Sequence, residues 1–196
     1  DFVKEEAEKD YQMASGISED VEANDNIWNI TRARLPWLLI GLIGGVLGAK
    51  IIGMFDLKNN LFELAFFIPL ITAMGGNVGV QSAAIVVQGL ANNNLKANNI
   101  SNKLLKELGV AIFNGLICST IILLVTMLIG YSMAISITVS ISLLSVIIFA
   151  ALFGTFIPLI LEKYKIDPAL ATGPFITTIN DILGLLIYFL IGQKIL

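Results

Sequence analysis

The chain contains no histidine and only one cysteine among its 196 residues. Without histidine it cannot build a Ser-His-Asp or Cys-His catalytic group, and it offers no imidazole ligand for a metal ion. Cys118 has no second cysteine with which to form an intramolecular disulfide bond. We predict that the chain is not an enzyme, and we expect no nucleic-acid partner.

Charged residues are also scarce, at 14% of the chain, whereas hydrophobic residues make up 56%. Ordinary soluble domains have about 25% charged residues. No Asp, Glu, Lys or Arg occurs in residues 64–95 or in residues 108–161. As one helix the second run would be about 80 Å long, but the hydrocarbon core of a membrane is about 30 Å thick. The run must therefore fold back, and Gly130-Tyr131-Ser132 is the predicted turn.

These runs predict an all-α integral membrane protein with five spanning helices in contact with membrane lipid. The predicted spans are about 36–55, 62–90, 105–129, 134–161 and 168–191. In the fifth span, Asp167 suits the N-cap and Pro168 suits the first turn. Residues 1–25 carry nine acidic residues and two lysines. We therefore predict that residues 1–31 are a cytosolic linker left from a larger soluble region upstream.

The distribution of Lys and Arg predicts the orientation of the chain. With the N-terminus in the cytoplasm, nine of the 12 basic residues lie on the cytoplasmic side and three lie outside. Five spans then place the C-terminus on the extracytoplasmic side. The predicted location is the cell membrane (the inner or plasma membrane).

Asp181 is the main candidate for chemistry, because it is a carboxylate in the fifth span. Counted from Pro168 it is the fourteenth residue, which places it about 20 Å along the helix and close to mid-membrane. Ionisable groups at that depth are costly and typically mark ion or proton pathways. The alternative is a protonated or hydrogen-bonded carboxyl group that holds helices together. We favour a cation site.

The neighbours of Asp181 support a cation site made of oxygen atoms. Thr177 lies four residues earlier on the same helix face, and Gly173 lies four residues before Thr177. Pro174 cannot donate to the carbonyl group of Leu170, so that oxygen is expected to be free. Oxygen ligands suit hard cations such as Mg²⁺, Ca²⁺ or Na⁺.

The second span contains three glycines among five residues, followed by polar side chains. Asn77 and Gln81 are four residues apart and share one face of this helix. One interpretation is packing, because glycine and amide groups hold membrane helices together. The other is a wall of carbonyl and amide groups along a polar path, with Asn77 and Gln81 as additional metal ligands. The sequence leaves both open.

The same two stretches resemble the signatures of a known family, the MgtE magnesium transporters and their eukaryotic solute-carrier relatives. The second-span signature is PLITAMGGNVGVQS at residues 69–82, followed by GLA at residues 89–91. The fifth-span signature comprises DPAL at residues 167–170, GPF at residues 173–175, Asp181, and GLLIYF at residues 184–189. The resemblance covers essentially all of residues 32–196. Departures from it are Val78 and Val80, at positions that are often polar, and Gln88, where a basic residue is common.

The resemblance implies that residues 32–196 are a five-helix ion-permeation domain that works as a homodimer. It implies a pore on the two-fold axis, lined by the second and fifth helices of both subunits. Asp181 would be the carboxylate that holds hydrated Mg²⁺, with Thr177 one turn earlier. Mn²⁺, Co²⁺ or Ca²⁺ are possible substitutes for Mg²⁺. Residues 1–31 would be the connecting-helix region that joins the family's usual cytosolic domains to the membrane.

One alternative function remains open, namely a proton- or sodium-coupled secondary transporter of a small polar solute. Such transporters often contain broken helices and internal repeats. The second and fifth spans contain possible breaks, but the sequence has no convincing repeat. The magnesium transporter is therefore the preferred prediction.

Overall fold

The computed structural model describes residues 12–13, 15–18, 21–55, 61–92, 100–171 and 173–196. Within them, five helices are long and apolar enough to cross a membrane, as predicted. We number these helices α1 (Ile27–Met54), α2 (Ile68–Ala91), α3 (Ile100–Ile129), α4 (Met133–Lys163) and α5 (Pro174–Ile195). Short helical segments, Leu61–Leu64 and Ala65–Phe67, lead into α2, and a 3₁₀ segment, Pro168–Ala171, precedes α5. Part of the predicted linker, including residues 1–11, lies outside the described residues.

The first span begins earlier than predicted. The side chain of Asn26 accepts a hydrogen bond of 2.9 Å from the backbone N–H of Asn29, which starts α1 at Ile27 rather than at Pro36. An Asn N-cap satisfies one of the free N–H groups of a helix start. Pro36 consequently lies inside the helix. Pro69 lies in the first turn of α2, and Pro158 lies inside α4.

The turn predicted between the third and fourth spans is confirmed. Gly130 has a φ of 101°, a conformation that glycine adopts without steric cost. Ser132 follows as the N-cap of α4, where its hydroxyl group accepts a hydrogen bond of 3.3 Å from the N–H of Ile135. The 54-residue apolar run therefore folds into two antiparallel helices.

The fifth span differs most from its prediction, because it is not one helix from Pro168. Asp167 accepts a hydrogen bond of 2.9 Å from the N–H of Ala169 and so caps only the short 3₁₀ segment. Gly173 has a φ of 52°, and Pro174 then occupies the first position of α5. Proline suits that position because its missing N–H group would be unpaired there. We predicted one continuous helix in which the carbonyl group of Leu170 has no donor at Pro174. That prediction is wrong, because Leu170 and Pro174 do not belong to the same helix.

Helix α4 is at the centre of the packing and contacts α2, α3 and α5. Helix α5 also packs against α2 and α1, and α1 makes its main contacts with α5. The buried apolar core lies where α4 meets the N-terminal half of α2 and the C-terminal half of α5, and it includes Leu143, Val146, Leu185 and Phe189. This arrangement leaves one face of α2 exposed and one face of α5 partly exposed.

Tyr188 links α5 to the segment that precedes α2. It is fully buried, and its hydroxyl group donates a hydrogen bond of 2.7 Å to the carbonyl oxygen of Leu64. We expect Tyr188→Phe to lower the free energy of unfolding by about 1–3 kcal/mol, because it leaves a buried carbonyl group unpaired. Thermal unfolding in detergent would measure this. Tyr164→Phe is the control, because Tyr164 is exposed, and an equal loss in both variants would contradict the prediction.

Candidate cation-binding site

The glycine-rich part of α2 is the surface that contacts α5. A methyl group on Gly79 would collide with the side-chain amide of Asn180, and one on Gly76 would lie 3.4 Å from Thr177 and 3.8 Å from Asp181. The backbone of α2 therefore passes directly over the turn of α5 that carries these polar groups. Small residues at such positions permit close approach of membrane helices.

A cavity of about 310 Å³ brings Asn77, Thr177 and Asp181 together between α2 and α5. Thr72 lies in its wall, one turn before Gly76. Asn77 is exposed and Asp181 is half-buried, so the cavity is open to the outside of the single chain. Amide, hydroxyl and carboxylate oxygens thus face a shared space.

A larger cavity of about 860 Å³ lies between α1 and α5 and shares Thr72, Thr177 and Asp181 with the first. On α1 it extends from Arg34 to Ile52 along a series of small residues. These are Gly41, Gly44, Gly45, Gly48 and Ala49. The side of α5 that carries Asp181 therefore borders two adjacent cavities. At the N-terminal end of α5, Ser15, Gly16 and Ile17 also line the larger cavity.

Thr177 and Gly173 are linked through the start of α5. The carbonyl oxygen of Gly173 accepts hydrogen bonds from the backbone N–H of Thr177 at 3.1 Å and from its hydroxyl group at 3.3 Å. The hydroxyl group also donates to the carbonyl oxygen of Pro174 at 3.1 Å. Because the hydroxyl hydrogen is used within the helix, the lone pairs of Thr177 remain available for a cation or its water shell.

Asp181 is the eighth residue of α5, about 10 Å from the helix start. This position is about a third of the way along the helix, because α5 begins at Pro174 and not at Pro168. Within the described residues, no group forms a hydrogen bond or an ion pair with its carboxylate. A half-buried carboxylate without a protein partner requires a counter-charge, a proton or water.

The next residue, Asn180, belongs to the packing rather than to the cavities. It is 1% exposed and packs against Gly79, and neither atom of its amide group has a hydrogen-bond partner among the described residues. The amide group of Asn180 therefore fills space between α2 and α5 without a hydrogen bond to the described part of α2.

The structure brings together Asp181, Thr177 and Asn77, but it does not bring Gln81 to them. Gln81 lies one turn further along α2 and lines a separate cavity with Glu107 of α3. Gly173 shapes the start of α5 and contributes no side chain. Thr72, which was not predicted as a site residue, lines both cavities. Its only signal was its spacing of four residues before Gly76.

Comparison with known proteins agrees with the resemblance seen in the motifs. Residues 68–191 match the MgtE family, which is described as a family of divalent cation transporters. The chain is 38% identical over 190 residues to a protein of Bacillus subtilis named magnesium transporter MgtE, with 96% of the chain and 42% of that protein covered. A protein of the same name from Enterococcus faecalis is 34% identical, with 98% and 43% covered.

A third relative with this name, from Thermus thermophilus, is 32% identical over 84% of the chain and 36% of its own length. The chain thus spans about two fifths of the length of these relatives. Members of the family are transporters and not enzymes, in agreement with the prediction from the absent histidine. With the match over most of α2 to α5 and three relatives above 30% identity, the chain belongs to the MgtE family of divalent cation transporters.

Proposed function

We propose that this chain is the membrane part of a transporter or channel for Mg²⁺, in which Asp181 binds the ion. The observation that carries the proposal is the half-buried carboxylate without a protein partner, where two cavities meet beside Thr177 and Asn77. The family membership and the names of the relatives supply the identity of the ion.

The chemistry of the cavity supports a hydrated ion rather than a fully ligated one. Mg²⁺ loses its water reluctantly and typically binds one or two carboxylates while it keeps several waters. Among the described residues, no cluster of three or more acidic, His or Cys side chains is present. Asp181 would supply the charge, while Thr177 and Asn77 would accept hydrogen bonds from the bound waters. Gly173 would shape the entrance to the cavity, because its positive φ turns the chain just before α5 begins.

A second copy of the chain would complete the site. One carboxylate neutralises half the charge of Mg²⁺, and a two-fold axis beside α2 and α5 would bring a second Asp181 to the ion. The exposed side of α2, which carries Asn77 and Gln81, supports this arrangement. In this homodimer α2 and α5 of both subunits line the pore, and Gln81 extends the polar path by one turn.

We further propose that the N-terminus is cytoplasmic and the C-terminus extracytoplasmic, as the distribution of basic residues predicts. The polar path then runs along α2 from Thr72, nearer the outside, through Asn77 to Gln81, nearer the cytoplasm. Residues 1–31 would connect this domain, residues 32–196, to cytosolic regions. The relatives are more than twice as long as this chain, so they contain additional regions.

Uptake of Mg²⁺ into proteoliposomes tests the function directly. We expect an entrapped Mg²⁺-sensitive dye to report uptake driven by the Mg²⁺ gradient and the membrane potential, and unchanged when Na⁺ and H⁺ gradients are removed. Empty liposomes are the control. Uptake that stops without a Na⁺ or H⁺ gradient would instead favour the coupled secondary transporter. No uptake from a correctly folded, reconstituted protein would contradict the proposal.

Cysteine cross-linking tests the two-fold axis. Cys118 is the single cysteine of the chain, so Cys118→Ser provides a background for introduced cysteines. We expect Asn77→Cys in that background to form a disulfide-linked dimer on mild oxidation, because Asn77 would face its counterpart across the pore. Leu124→Cys is the control, since it is exposed on α3, which packs against α4. Efficient cross-linking at Leu124 and none at Asn77 would place the interface elsewhere.

A further inference from the structure

A cavity of about 340 Å³ lies between α2, α3 and α4 and does not include Asp181. Its polar lining consists of Gln81, Ser82, Lys103, Lys106, Glu107, Asn114 and Thr155. Its volume lies within the range of about 300–1,000 Å³ that is typical of pockets for small molecules. The ion path proposed above leaves Glu107 and both lysines without a role.

The interior of this cavity contains polar groups that the protein only partly satisfies. The hydroxyl group of Ser82 donates a hydrogen bond of 2.6 Å to Oε1 of Glu107, which holds the carboxylate against α2. Thr155 of α4 is 2% exposed, and its hydroxyl oxygen has no hydrogen-bond partner among the described residues. A buried hydroxyl group without a partner is costly. The cavity therefore suits a ligand that can donate hydrogen bonds at its inner end.

The mouth of the cavity carries positive charge, opposite to the negative charge of Glu107. Lys103 and Lys106 lie within the first two turns of α3, which begins at Ile100. Glu107 follows about 10 Å from that helix start. Long lysine side chains near the end of a spanning helix extend toward the headgroups of the lipid. The lysines thus place cationic groups at the rim, whereas the hydrogen bond from Ser82 holds the carboxylate of Glu107 inward against α2.

The remaining walls are apolar and open to the outside of the single chain. Val78 and Ile147 contribute to the inner wall, and Ile85 and Val110, which are both exposed, lie at the opening. These side chains would contact acyl chains. The cavity therefore combines an ammonium-lined rim, a carboxylate inside and an apolar opening, and no inorganic ion would use all three.

We propose that this cavity binds the headgroup of a phospholipid with a primary amine, of the phosphatidylethanolamine class. The phosphate group binds Lys103 and Lys106 at the rim, as basic pockets between membrane helices bind lipid phosphates. The ethanolammonium group extends sideways between the helices to Glu107 and the hydroxyl group of Thr155. It has three N–H donors for these oxygens. This site does not include Asp181, and Gln81 is the residue that it shares with the proposed ion path.

Lipid binding to the purified protein tests the proposal, with native mass spectrometry and thermal stabilisation in detergent as measurements. The probes are phosphatidylethanolamine and phosphatidylcholine with the same acyl chains, because the choline group has no N–H donor. We expect the ethanolamine lipid to bind about tenfold more tightly, the effect of one charge-assisted hydrogen-bonded contact. Equal affinity for the two lipids would overturn the proposal.

Two variants locate the contacts. We expect Glu107→Gln, which keeps the acceptor for Ser82, to remove the preference for ethanolamine, and Lys106→Gln to weaken both lipids equally. Lys163→Gln is the control, because Lys163 is exposed at the end of α4 and does not line the cavity. A preserved ethanolamine preference in Glu107→Gln, or an equal loss in Lys163→Gln, would overturn the assignment.

A further variant separates this site from the ion path. We expect Asp181→Asn to bind both lipids like the parent. Failure of Mg²⁺ uptake would then not contradict the lipid site. Failure of lipid binding would likewise not contradict the proposed Mg²⁺ transport. A loss of the ethanolamine preference in Asp181→Asn would contradict the independence of the two sites.

Discussion

Replacement of Asp181 by Asn is expected to reduce Mg²⁺ uptake by at least about tenfold while the protein remains folded and inserted. Asparagine keeps the shape of the side chain but removes the negative charge. Contacts with a charged partner contribute about 1.5–3 kcal/mol, which corresponds to a tenfold or larger loss of affinity. In a homodimer the change removes both carboxylates from the axis, so we expect Asp181→Ala to be at least as severe.

Proteoliposome uptake at several Mg²⁺ concentrations measures this effect. The matched control is Glu162→Gln, which also removes one acidic charge but does so at the exposed end of α4, away from the cavities. Thermal unfolding of each variant verifies the fold. If Asp181→Asn transports as well as Glu162→Gln, Asp181 is not the ion-binding carboxylate.

Replacement of Gly154 by Ala is expected to have the largest effect on folding. A methyl group at this position would collide with the carbonyl oxygen of Gly79, and it would lie 3.0 Å from the Cα and carbonyl carbon of the same residue. Backbone atoms of α2 cannot move aside as a flexible side chain can. Overpacking of this kind typically costs about 1–3 kcal/mol or more. We also expect the shift of α2 to impair transport, because Gly79 is one turn from Gly76 and the cavity.

Gly109→Ala provides the matched control for this substitution. Gly109 also lies within a helix, but a methyl group there would meet nothing within 4 Å. By helix propensity alone, Gly to Ala should stabilise each helix by up to about 1 kcal/mol. Thermal unfolding in detergent should therefore show that Gly154→Ala lowers the stability of the protein and that Gly109→Ala raises it. A Gly154→Ala protein as stable as Gly109→Ala would show that α2 and α4 approach each other less closely than described.

Much of the fold could be predicted because hydropathy is a property of local sequence. The number of spans and the turn at Gly130 follow from the length of apolar runs and from the conformational freedom of glycine. The exact first residues of the helices could not be predicted from the apolar runs. Asn26 extends α1 by capping it, and Gly173 interrupts the fifth span at a position where the apolar pattern continues.

The candidate site could be predicted only in part. Asp181 and Thr177 share a face of one helix, so their spacing places them together in any packing. Asn77 and Gln81 also share a face, but Asn77 reaches the cavity of Asp181 and Gln81 lines the cavity of Glu107. Spacing along α2 cannot assign each residue to a neighbouring helix, because that depends on where α5 and α3 cross it.

The sequence by itself determined that this protein spans a membrane with five helices and carries a carboxylate within the last of them. Transfer of apolar side chains into lipid and the cost of a buried charge are local quantities, so the sequence was sufficient. Only the tertiary structure decided that α1 packs against α5, that Thr72 joins the site, and that Glu107 lies in a cavity of its own. In lipid the hydrophobic effect does not drive helices together, so their neighbours are chosen by close packing at residues such as Gly79 and Gly154.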